Sequence, residues 1–433
     1  MRFHQRKLCR LIALLITGMS ASASMAFPVV MGGGSSNVAP MIGGIGKPAT
    51  EIGLFGTAEG SFTYYSVDSA AGQNAFLNNQ PSYFGAGITG TVAFANSDAA
   101  LTTAQLTVYR FGRGATDGPL IQIPYVVTPI TIPIVNGPPV TSTATPQTTP
   151  GQAHSIALND DDLCGIFSGK LTRWNQVVNP ETGSTYPINV PITVVYRVDG
   201  SGTTELLTRH LATVCTNANT APGVTFVDSM TFANSFPGGV PVGPSFVGAT
   251  HSASVRNVLT SMASAGIAAV AYLGPSWTNT FLAPSSVIAS SPGAYQLPVA
   301  SLVNARNGLY YAPSYANASV ALGPVTPPRL GAAASNQANW VPSSGNPLSG
   351  YPVSGTSQIV LSQCYADPAV ATALHDYLNA HYNSAAFASI IHGNGFDTVP
   401  SVFKTAISND FLSNVSGFNL DIGNTSVCAG TGR

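Results

Sequence analysis

Apolar runs alternate along the chain with stretches of helical length, and polar turns separate the two. The segment 118–135 is rich in Ile, Val and Pro, which predicts two strands or one long crossing strand. The remaining predicted elements are strands at 90–98, 186–197 and 357–364, helices at 101–109, 160–169, 203–215 and 367–382, and a helix, a glycine turn and a strand within 255–274. This alternation is typical of an α/β fold with mostly parallel sheets.

Two stretches interrupt the alternation. Residues 136–155 are rich in Pro and Thr, and their apolar residues follow no helical or strand periodicity. Residues 327–352 have a similar composition. We interpret both as surface excursions rather than linkers between domains. In the helix at 160–169, Asp160 and Asp161 are expected to cap and solvate the first turn.

The composition indicates an exported protein with substantial hydrophobic cores. The chain has 433 residues, of which 45% are hydrophobic and only 8% charged, and its formal net charge is -1. This length predicts two compact domains, and the near-neutral charge provides no basic field for nucleic acid. Because so few residues are charged, we expect the surface to be made of Ser, Thr, Asn, Gln and Gly.

The first 26 residues have the organisation of a secretory signal peptide. Basic residues precede a short apolar core, and small residues end at Ala26, where we expect cleavage. A membrane anchor is the alternative, but the apolar run is about half of the roughly 20 residues that a spanning helix needs. Cys9 lies before the apolar core and therefore cannot be the lipidated cysteine of a lipoprotein signal. The expected location is the periplasm or the medium, without a lipid anchor.

Four cysteines remain after the signal, an even number that indicates two disulfides in an exported chain. The sequence allows three pairings, and the nearest-neighbour pairing of Cys164 with Cys215 and Cys364 with Cys428 closes the shortest loops. A metal site is the rival interpretation, but no Cys-x-x-Cys or His-x-x-x-His pair supports it. The histidines, among them His251, His375, His381 and His392, are interpreted as surface or core residues, and Trp174 as a packing residue against the helical residues 162–169.

The turn between the strand at 186–197 and the helix at 203–215 concentrates hydrogen-bond donors. Arg197 ends the strand, and "VDGSGTT" follows at once. Gly200 and Gly202 permit a sharp turn and close approach to a ligand, and the helix start presents free N–H groups to an anion. Asp199 could hold the Arg197 guanidinium in place. An ordinary strand–turn–helix connection with N-capping is the alternative, and the turn is neither a Walker loop nor a Rossmann fingerprint.

This turn resembles the signature of the periplasmic phosphate-binding proteins that serve high-affinity phosphate ABC transporters. The stretch "DLCGIFSGKLTRWNQV" resembles the second hallmark of the family, and the Leu-Cys-Gly, the Thr-Thr-Glu-Leu and the opening "MGGGSSNVAP" are similar to its DING branch. The likeness extends from about residue 31 to the C-terminus and is looser in 136–155 and 327–352. One departure is Ser36 followed by Asn37, where the family usually has Thr and then Leu or Phe.

The resemblance implies a class II periplasmic-binding-protein fold, in which two Rossmann-like lobes are joined by two crossing strands. Lobe one would comprise residues 27–127 and 353–433, and lobe two residues 128–352. The implied phosphate site takes groups from both lobes: Ser36, the backbone of Asn37, Ser69, Asp98, Arg197, Ser201, Gly202 and Thr203, with Asp199 in support.

Asp98 is the unusual member of this set, because it would place a carboxylate against an anion. It would accept the remaining proton of hydrogen phosphate and repel sulfate, which has no proton to offer. The alternative role for Asp98 is a helix N-cap before Leu101.

The expected function is therefore capture of inorganic phosphate by a monomer, for uptake by an ABC transporter permease. No cofactor, catalytic residue, metal or nucleic-acid partner is expected. The alternatives are a secreted phosphatase on the same scaffold and an extracellular adhesive or scavenging protein.

Overall fold

The computed structural model describes residues 27–342 and 345–433. The predicted signal peptide and its cleavage point lie outside the described residues. The strands are β1 (Val29–Ser35), β2 (Ser61–Val67), β3 (Val92–Ser97), β4 (Leu120–Pro129), β5 (Ile134–Val135), β6 (Ala157–Leu158), β7 (Thr193–Arg197), β8 (Phe246–Ala249), β9 (Ala269–Val270), β10 (Ser301–Val303), β11 (Tyr310–Tyr311), β12 (Ser354–Ser362) and β13 (Asp397–Thr398).

Helices pack against these strands. They are α1 (Ala39–Ile42), α2 (Glu51–Phe55), α3 (Ser69–Asn78), α4 (Thr103–Phe111), α5 (Gly114–Asp117), α6 (Asp160–Ser168), α7 (Gly202–Val214), α8 (His251–Ser264), α9 (Tyr315–Leu322), α10 (Gly331–Ala334), α11 (Pro368–Asn383), α12 (Ala385–Gly393) and α13 (Ser401–Asp410). The predicted elements all correspond to observed ones, although β7 is shorter than the predicted strand because Pro187 and Pro191 precede it.

The first lobe is built on a six-stranded sheet in the order β13-β4-β12-β3-β1-β2. β1 pairs in parallel with β2 and β3, whereas β12 pairs antiparallel with β3 and β4, and β13 pairs antiparallel with β4. The prediction of mostly parallel sheets was therefore wrong for this sheet, because β12 returns from the second lobe and runs against its neighbours.

The second lobe contains a four-stranded sheet in the order β5-β9-β7-β8 and a three-stranded sheet in the order β11-β10-β6. β7 pairs in parallel with β8 and β9, so their carboxyl ends share one edge with the start of α7 and α8. Trp174 is fully buried in the core of this lobe together with Leu163 of α6, in the packing role expected of it.

Two segments connect the lobes. The chain leaves the first lobe through β4 into β5, so the apolar segment 118–135 forms two strands, and it returns through β12. The exact division at residues 127/128 and 352/353 remains a prediction. Residues 327–352 are not a simple surface excursion, because Trp340 is fully buried in the core of the first lobe.

One helix start differs from expectation. Asn159, rather than Asp160 or Asp161, caps α6: its side chain accepts from the N–H of Asp162, and the Asp162 carboxylate accepts in return from the N–H of Asn159. This reciprocal capping box satisfies two otherwise unpaired backbone donors. Asp160 instead contacts the imidazole of His210 at 2.9 Å.

The disulfides join nearest neighbours, Cys164 with Cys215 and Cys364 with Cys428. The first ties α6 to the end of α7, and the second ties the end of β12 to the C-terminal segment. One disulfide thus lies within each lobe, and neither disulfide joins the two lobes. Within the described ranges, no helix combines the length and the apolarity needed to cross a membrane.

Candidate functional site: a cleft between the lobes

The turn from β7 to α7 forms the second-lobe side of the cleft. Ser201 is the N-cap of α7, and its hydroxyl accepts from the N–H of Thr204 at 3.2 Å. The N–H groups of Gly202 and Thr203, in the first turn, have no hydrogen-bond partner within the described part of the chain. Free N–H groups at the positive end of a helix dipole form an anion-binding surface.

Arg197 lies buried beside this helix start. Its Nε and Nη2 atoms donate to the two carboxylate oxygens of Asp199 at 2.6 and 2.5 Å, and its backbone N–H donates to the Tyr272 hydroxyl at 2.9 Å. Burial would raise the pKa of Asp199, but the hydrogen bonds and charge of Arg197 outweigh it and hold that pKa below its ordinary value. Asp199 therefore holds the guanidinium through two hydrogen bonds, and Nη1 makes no hydrogen bond within the described part of the chain.

Asp98 follows β3 and provides the first-lobe side. Its Oδ2 accepts from the Ser35 hydroxyl at 2.8 Å and, across the cleft, from the Thr203 hydroxyl at 3.2 Å. Its Oδ1 is buried without a partner in the described structure. Asp98 is not a helix cap, because Thr102 caps α4. The Asp98 carboxylate and the start of α7 are thus in direct contact across the two lobes.

Burial raises the pKa of Asp98, and the donors around it, Ser35 first, only partly oppose the rise. A carboxylate that is costly to leave charged and unpaired gains from a proton offered by a ligand. The same charge also contributes to a high pKa of the nearby Tyr64, after burial as the main cause. The site therefore favours a partner that brings both negative charge for the donors and a proton for Asp98.

Ser36 and Asn37 lie in the loop after β1, with different contacts. Both atoms of the Asn37 side-chain amide are buried without partners in the described structure. The Ser36 hydroxyl instead meets the Ser252 hydroxyl at 3.0 Å and accepts from the Ser252 N–H at 3.1 Å. The Ser36 side chain is thus engaged with α8 of the opposite lobe, and the unpaired Asn37 amide was not expected from the sequence, which pointed to its backbone.

The starts of α3 and α7 meet across the cleft at close range. The Ser69 hydroxyl accepts from the N–H of Asp98 at 3.3 Å, and the N–H of Ala70 donates to the carbonyl of Gly200 at 2.9 Å. A Cβ atom on Gly202 would lie only 2.7 Å from the Ser69 hydroxyl. Glycine at 202 is therefore required by the approach of the two lobes.

Sequence reasoning missed several residues that shape the cleft. Ser35 could have been found, since it directly follows the glycine run of β1. Tyr272 gave no sequence signal, because it contacts Arg197 and Thr204 from a separate segment of the second lobe. Ser252, Asp68 and His251 gave none either, because Ser252 contacts Ser36 and His251 approaches Asp68 only where the two lobes meet.

Asp68, Asp199 and His251 are the group of metal-ligating side chains that converges within the described residues, with one ligand atom each inside 4.8 Å. The other three singled-out histidines pair with carboxylates elsewhere: His375 with Asp376, His392 with Asp397, and the buried His381 with Glu51.

The comparisons with known proteins agree with this geometry. A sequence model described as a PBP superfamily domain matches residues 21–323. Alkaline phosphatase L of Pseudomonas aeruginosa is 34% identical over 374 residues, covering 86% of this chain and 87% of that protein. A phosphate-binding protein of an unidentified prokaryote is 33% identical over 380 residues, covering 86% of this chain and 93% of that protein.

Among solved structures, the phosphate-bound periplasmic phosphate-binding protein PfluDING superposes with a TM-score of 0.72 at 32% identity, covering 94% of this chain and 99% of that one. The chain belongs to the PBP superfamily and, within it, to the phosphate-binding proteins of the DING type.

Proposed function

We propose that the protein captures inorganic phosphate, as HPO4 2- or H2PO4-, in the cleft between its lobes. The observation that carries the proposal is the buried Asp98 carboxylate in hydrogen-bond contact with Thr203 of α7, beside unpaired helix N–H groups. The proposed ligands are those expected from the sequence, and Asp199 holds Arg197 in place.

The arrangement supplies an explanation for selectivity. Arg197 and the start of α7 can offset the charge of an oxyanion. Asp98 then selects an oxyanion that still carries a proton, since a fully ionised one would meet a buried carboxylate as charge against charge. Arsenate carries the same proton as phosphate and should be rejected poorly.

The wider role that we propose is delivery of phosphate by a monomer to an ABC transporter permease, from the periplasm or after secretion. Support comes from the relatives named phosphate-binding protein and from the predicted signal peptide. A pull-down of the permease by the phosphate-loaded protein, but not by the phosphate-free protein, is the expected result.

A phosphatase is the second candidate, because relatives named alkaline phosphatase L are 34% identical to this chain. We propose binding without turnover. Pure wild-type protein and the Arg197→Ala variant should hydrolyse a chromogenic phosphate ester at the same negligible rate. Hydrolysis by the wild type that the substitution abolishes would contradict this part of the proposal.

Calorimetric titration tests phosphate capture directly. The wild type should bind one phosphate and give no heat with sulfate at the same concentration. Saturable sulfate binding as tight as phosphate binding, or no binding of either anion, would contradict the proposal.

A further inference from the structure

The strand that returns to the first lobe brings one more buried hydroxyl next to Asp98. In the pairing of β12 with β3, the outermost pair is Gln358 with Ser97. Continued by one residue, this register places Ser357 opposite Asp98. Directly opposite side chains of an antiparallel pair lie on the same face of the sheet, so the Ser357 hydroxyl and the Asp98 carboxylate are neighbours.

The Ser357 hydroxyl is enclosed, and its hydrogen-bonding capacity is unused. Ser357 is fully buried, and its Oγ has no partner among the described residues. Burial raises the pKa of Asp98, and Ser357 is, after Ser35, the side chain that most opposes this rise. Asp98 Oδ1 is nevertheless unpaired as well. A buried donor and a buried acceptor thus lie close together without being bonded to each other.

The Asn37 side chain extends this group toward the second lobe. Its amide is fully buried, neither of its polar atoms has a partner in the part of the chain that the structure describes, and it also lies near enough to oppose the rise in the pKa of Asp98 that burial causes. Its Oδ1 packs against Gly274 of the second lobe, where a Cβ atom would overlap it. The unpaired atoms therefore cluster around the Asp98 carboxylate, where the first lobe meets the second.

Such a cluster is unfavourable in the absence of a ligand. A buried hydroxyl or amide without a partner has lost its hydrogen bonds to water and gained none in return. Apolar side chains at residues 37 and 357 would avoid this cost. An anion with several acceptor oxygens would satisfy the Ser357 hydroxyl and the Asn37 Nδ2 atom at the same time.

We infer that Ser357 is a further ligand of phosphate in the cleft, and that its hydroxyl donates to the oxygen whose proton Asp98 accepts. The inference rests on the proposed function. The protonated oxygen of phosphate keeps lone pairs when its proton points to Asp98 Oδ1, and Ser357 lies on the same face of the sheet as that carboxylate. Because β12 is one of the two segments that connect the lobes, the contact also joins the ligand directly to a connecting strand.

The test uses the opposite signs that this role predicts for affinity and stability. Ser357→Ala removes a donor to a charged ligand, so the phosphate affinity measured by calorimetry should fall about 10- to 100-fold. The same substitution removes an unpaired buried hydroxyl from the ligand-free protein, so the midpoint of its chemical denaturation should stay the same or rise. A serine that only supports the fold would lower the midpoint when it is replaced.

Ser301→Ala is the matched control. Ser301 lies in β10 of the second lobe, and its hydroxyl is also fully buried and unpaired within the described ranges. Its replacement should leave the phosphate affinity at the wild-type value, while the denaturation midpoint stays the same or rises as for Ser357→Ala. The comparison separates the loss of a ligand contact from the removal of a buried hydroxyl.

A second measurement identifies the oxygen that Ser357 contacts. In the Asp98→Asn background, the new amide can donate to that oxygen, which then gains less from a second donor. The effect of Ser357→Ala on phosphate affinity should therefore shrink to about threefold or less, whereas residues that act on separate oxygens give effects that multiply. An undiminished effect in this background would overturn the assignment of Ser357 to the protonated oxygen.

Two results would overturn the inference as a whole. If Ser357→Ala binds phosphate as tightly as the wild type, the hydroxyl does not contact the ligand. If the ligand-free variant is less stable than the wild type, the hydroxyl contributes to the fold instead. In both cases phosphate binding by the wild type leaves the proposed function standing, whereas a wild type that does not bind phosphate contradicts the proposed function itself.

Discussion

The two sides of the cleft differ in how their polar groups are satisfied, and we propose that they contribute differently to anion binding. On the second-lobe side, Arg197 and the start of α7 present donors from one continuous turn, in which Asp199 holds the Arg197 guanidinium and Ser201 caps the helix. On the first-lobe side, Asp98 and Asn37 present buried polar atoms without partners. The second lobe is therefore arranged before a ligand arrives, whereas the first lobe has polar groups that a ligand would satisfy.

This difference indicates a division of labour. Preorganised donors supply affinity for negative charge in general, because they do not need to rearrange when the anion binds. An unpaired carboxylate supplies selection, because it is satisfied only by an anion that can donate a proton. If this is correct, substitutions on the second-lobe side should mainly reduce affinity, and substitutions at Asp98 should mainly reduce discrimination.

The largest effect should come from Arg197→Ala. Loss of the guanidinium removes the charged donor and leaves the half-buried Asp199 without its ion-pair partner. We expect a cost of about 2–5 kcal/mol of binding free energy, or roughly 30- to 4,000-fold in affinity. Calorimetry with phosphate measures the loss. The phosphate affinity of Arg197→Lys should lie between those of the wild type and Arg197→Ala, because lysine keeps the positive charge but lacks the planar guanidinium group.

Arg173→Ala is the matched control for this substitution. Arg173 is exposed and bonds to Asn189 rather than to a group in the cleft. It should bind phosphate as the wild type does. An Arg197→Ala variant that is folded and retains wild-type affinity would exclude the arrangement that we propose.

Gly202→Ala should give the next largest effect, because it acts on the approach of the two sides. Its Cβ would lie 2.6 Å from the backbone N of Ala99 and 2.7 Å from the Ser69 hydroxyl, both in the first lobe. Crowding of this kind costs about 1–3 kcal/mol, so phosphate affinity should fall roughly 5- to 150-fold. Small-angle scattering of the phosphate-loaded variant should show a wider cleft than that of the wild type.

Gly44→Ala serves as the control, since a Cβ at residue 44 meets no atom within 4 Å. Its affinity and scattering should match those of the wild type. Unchanged phosphate affinity in Gly202→Ala would mean that close contact between α7 and the first lobe is not needed for binding.

The difference between the two sides of the cleft also explains which parts of the site could be predicted from the sequence. The second-lobe side is contiguous from Arg197 to Thr203, so its turn, its helix and the Arg197–Asp199 pair follow from local rules. The sequence analysis also placed longer elements such as β4, β12, α7 and α11, because runs or periods of apolar residues mark them.

The first-lobe side could be predicted only in part, because it gathers residues from separate segments. Ser35 and Asp98, which are in hydrogen-bond contact, lie 63 positions apart in the sequence. Whether the Asn37 amide has a hydrogen-bond partner depends on the residues that pack around it in the folded protein. The direction of β12 is set by the return of the chain from the second lobe. The local periodicity of apolar residues does not predict that direction. The cross-cleft contacts of Ser36 and His251 depend on how the lobes meet.

Asp98→Asn should affect selectivity more than affinity. An amide can donate to either anion and removes the repulsion of the carboxylate, so the preference for phosphate over sulfate should fall at least about tenfold. Competition of sulfate against radiolabelled phosphate measures the ratio. A variant that still rejects sulfate as the wild type does would show that discrimination lies elsewhere, on the donor side of the cleft.

The smallest effect concerns the stability of the ligand-free protein. It measures the free-energy cost of burying the Asp98 charge separately from the role of that charge in selecting the anion. The pKa of Asp98 is raised in the folded protein, so the folded state binds its proton more tightly than the unfolded chain, whose aspartates titrate near 3.9. The free energy of unfolding of the wild type, relative to Asp98→Asn, should therefore fall as the pH rises from about 4 through the folded pKa, and then stay constant.

Chemical denaturation at a series of pH values measures this difference. Saturating phosphate should reduce the trend, because the ligand then supplies the proton that the buried carboxylate lacks. A relative stability that rises with pH would mean that Asp98 is stabilised as a charged group, and the selection of a protonated anion would lose its physical basis.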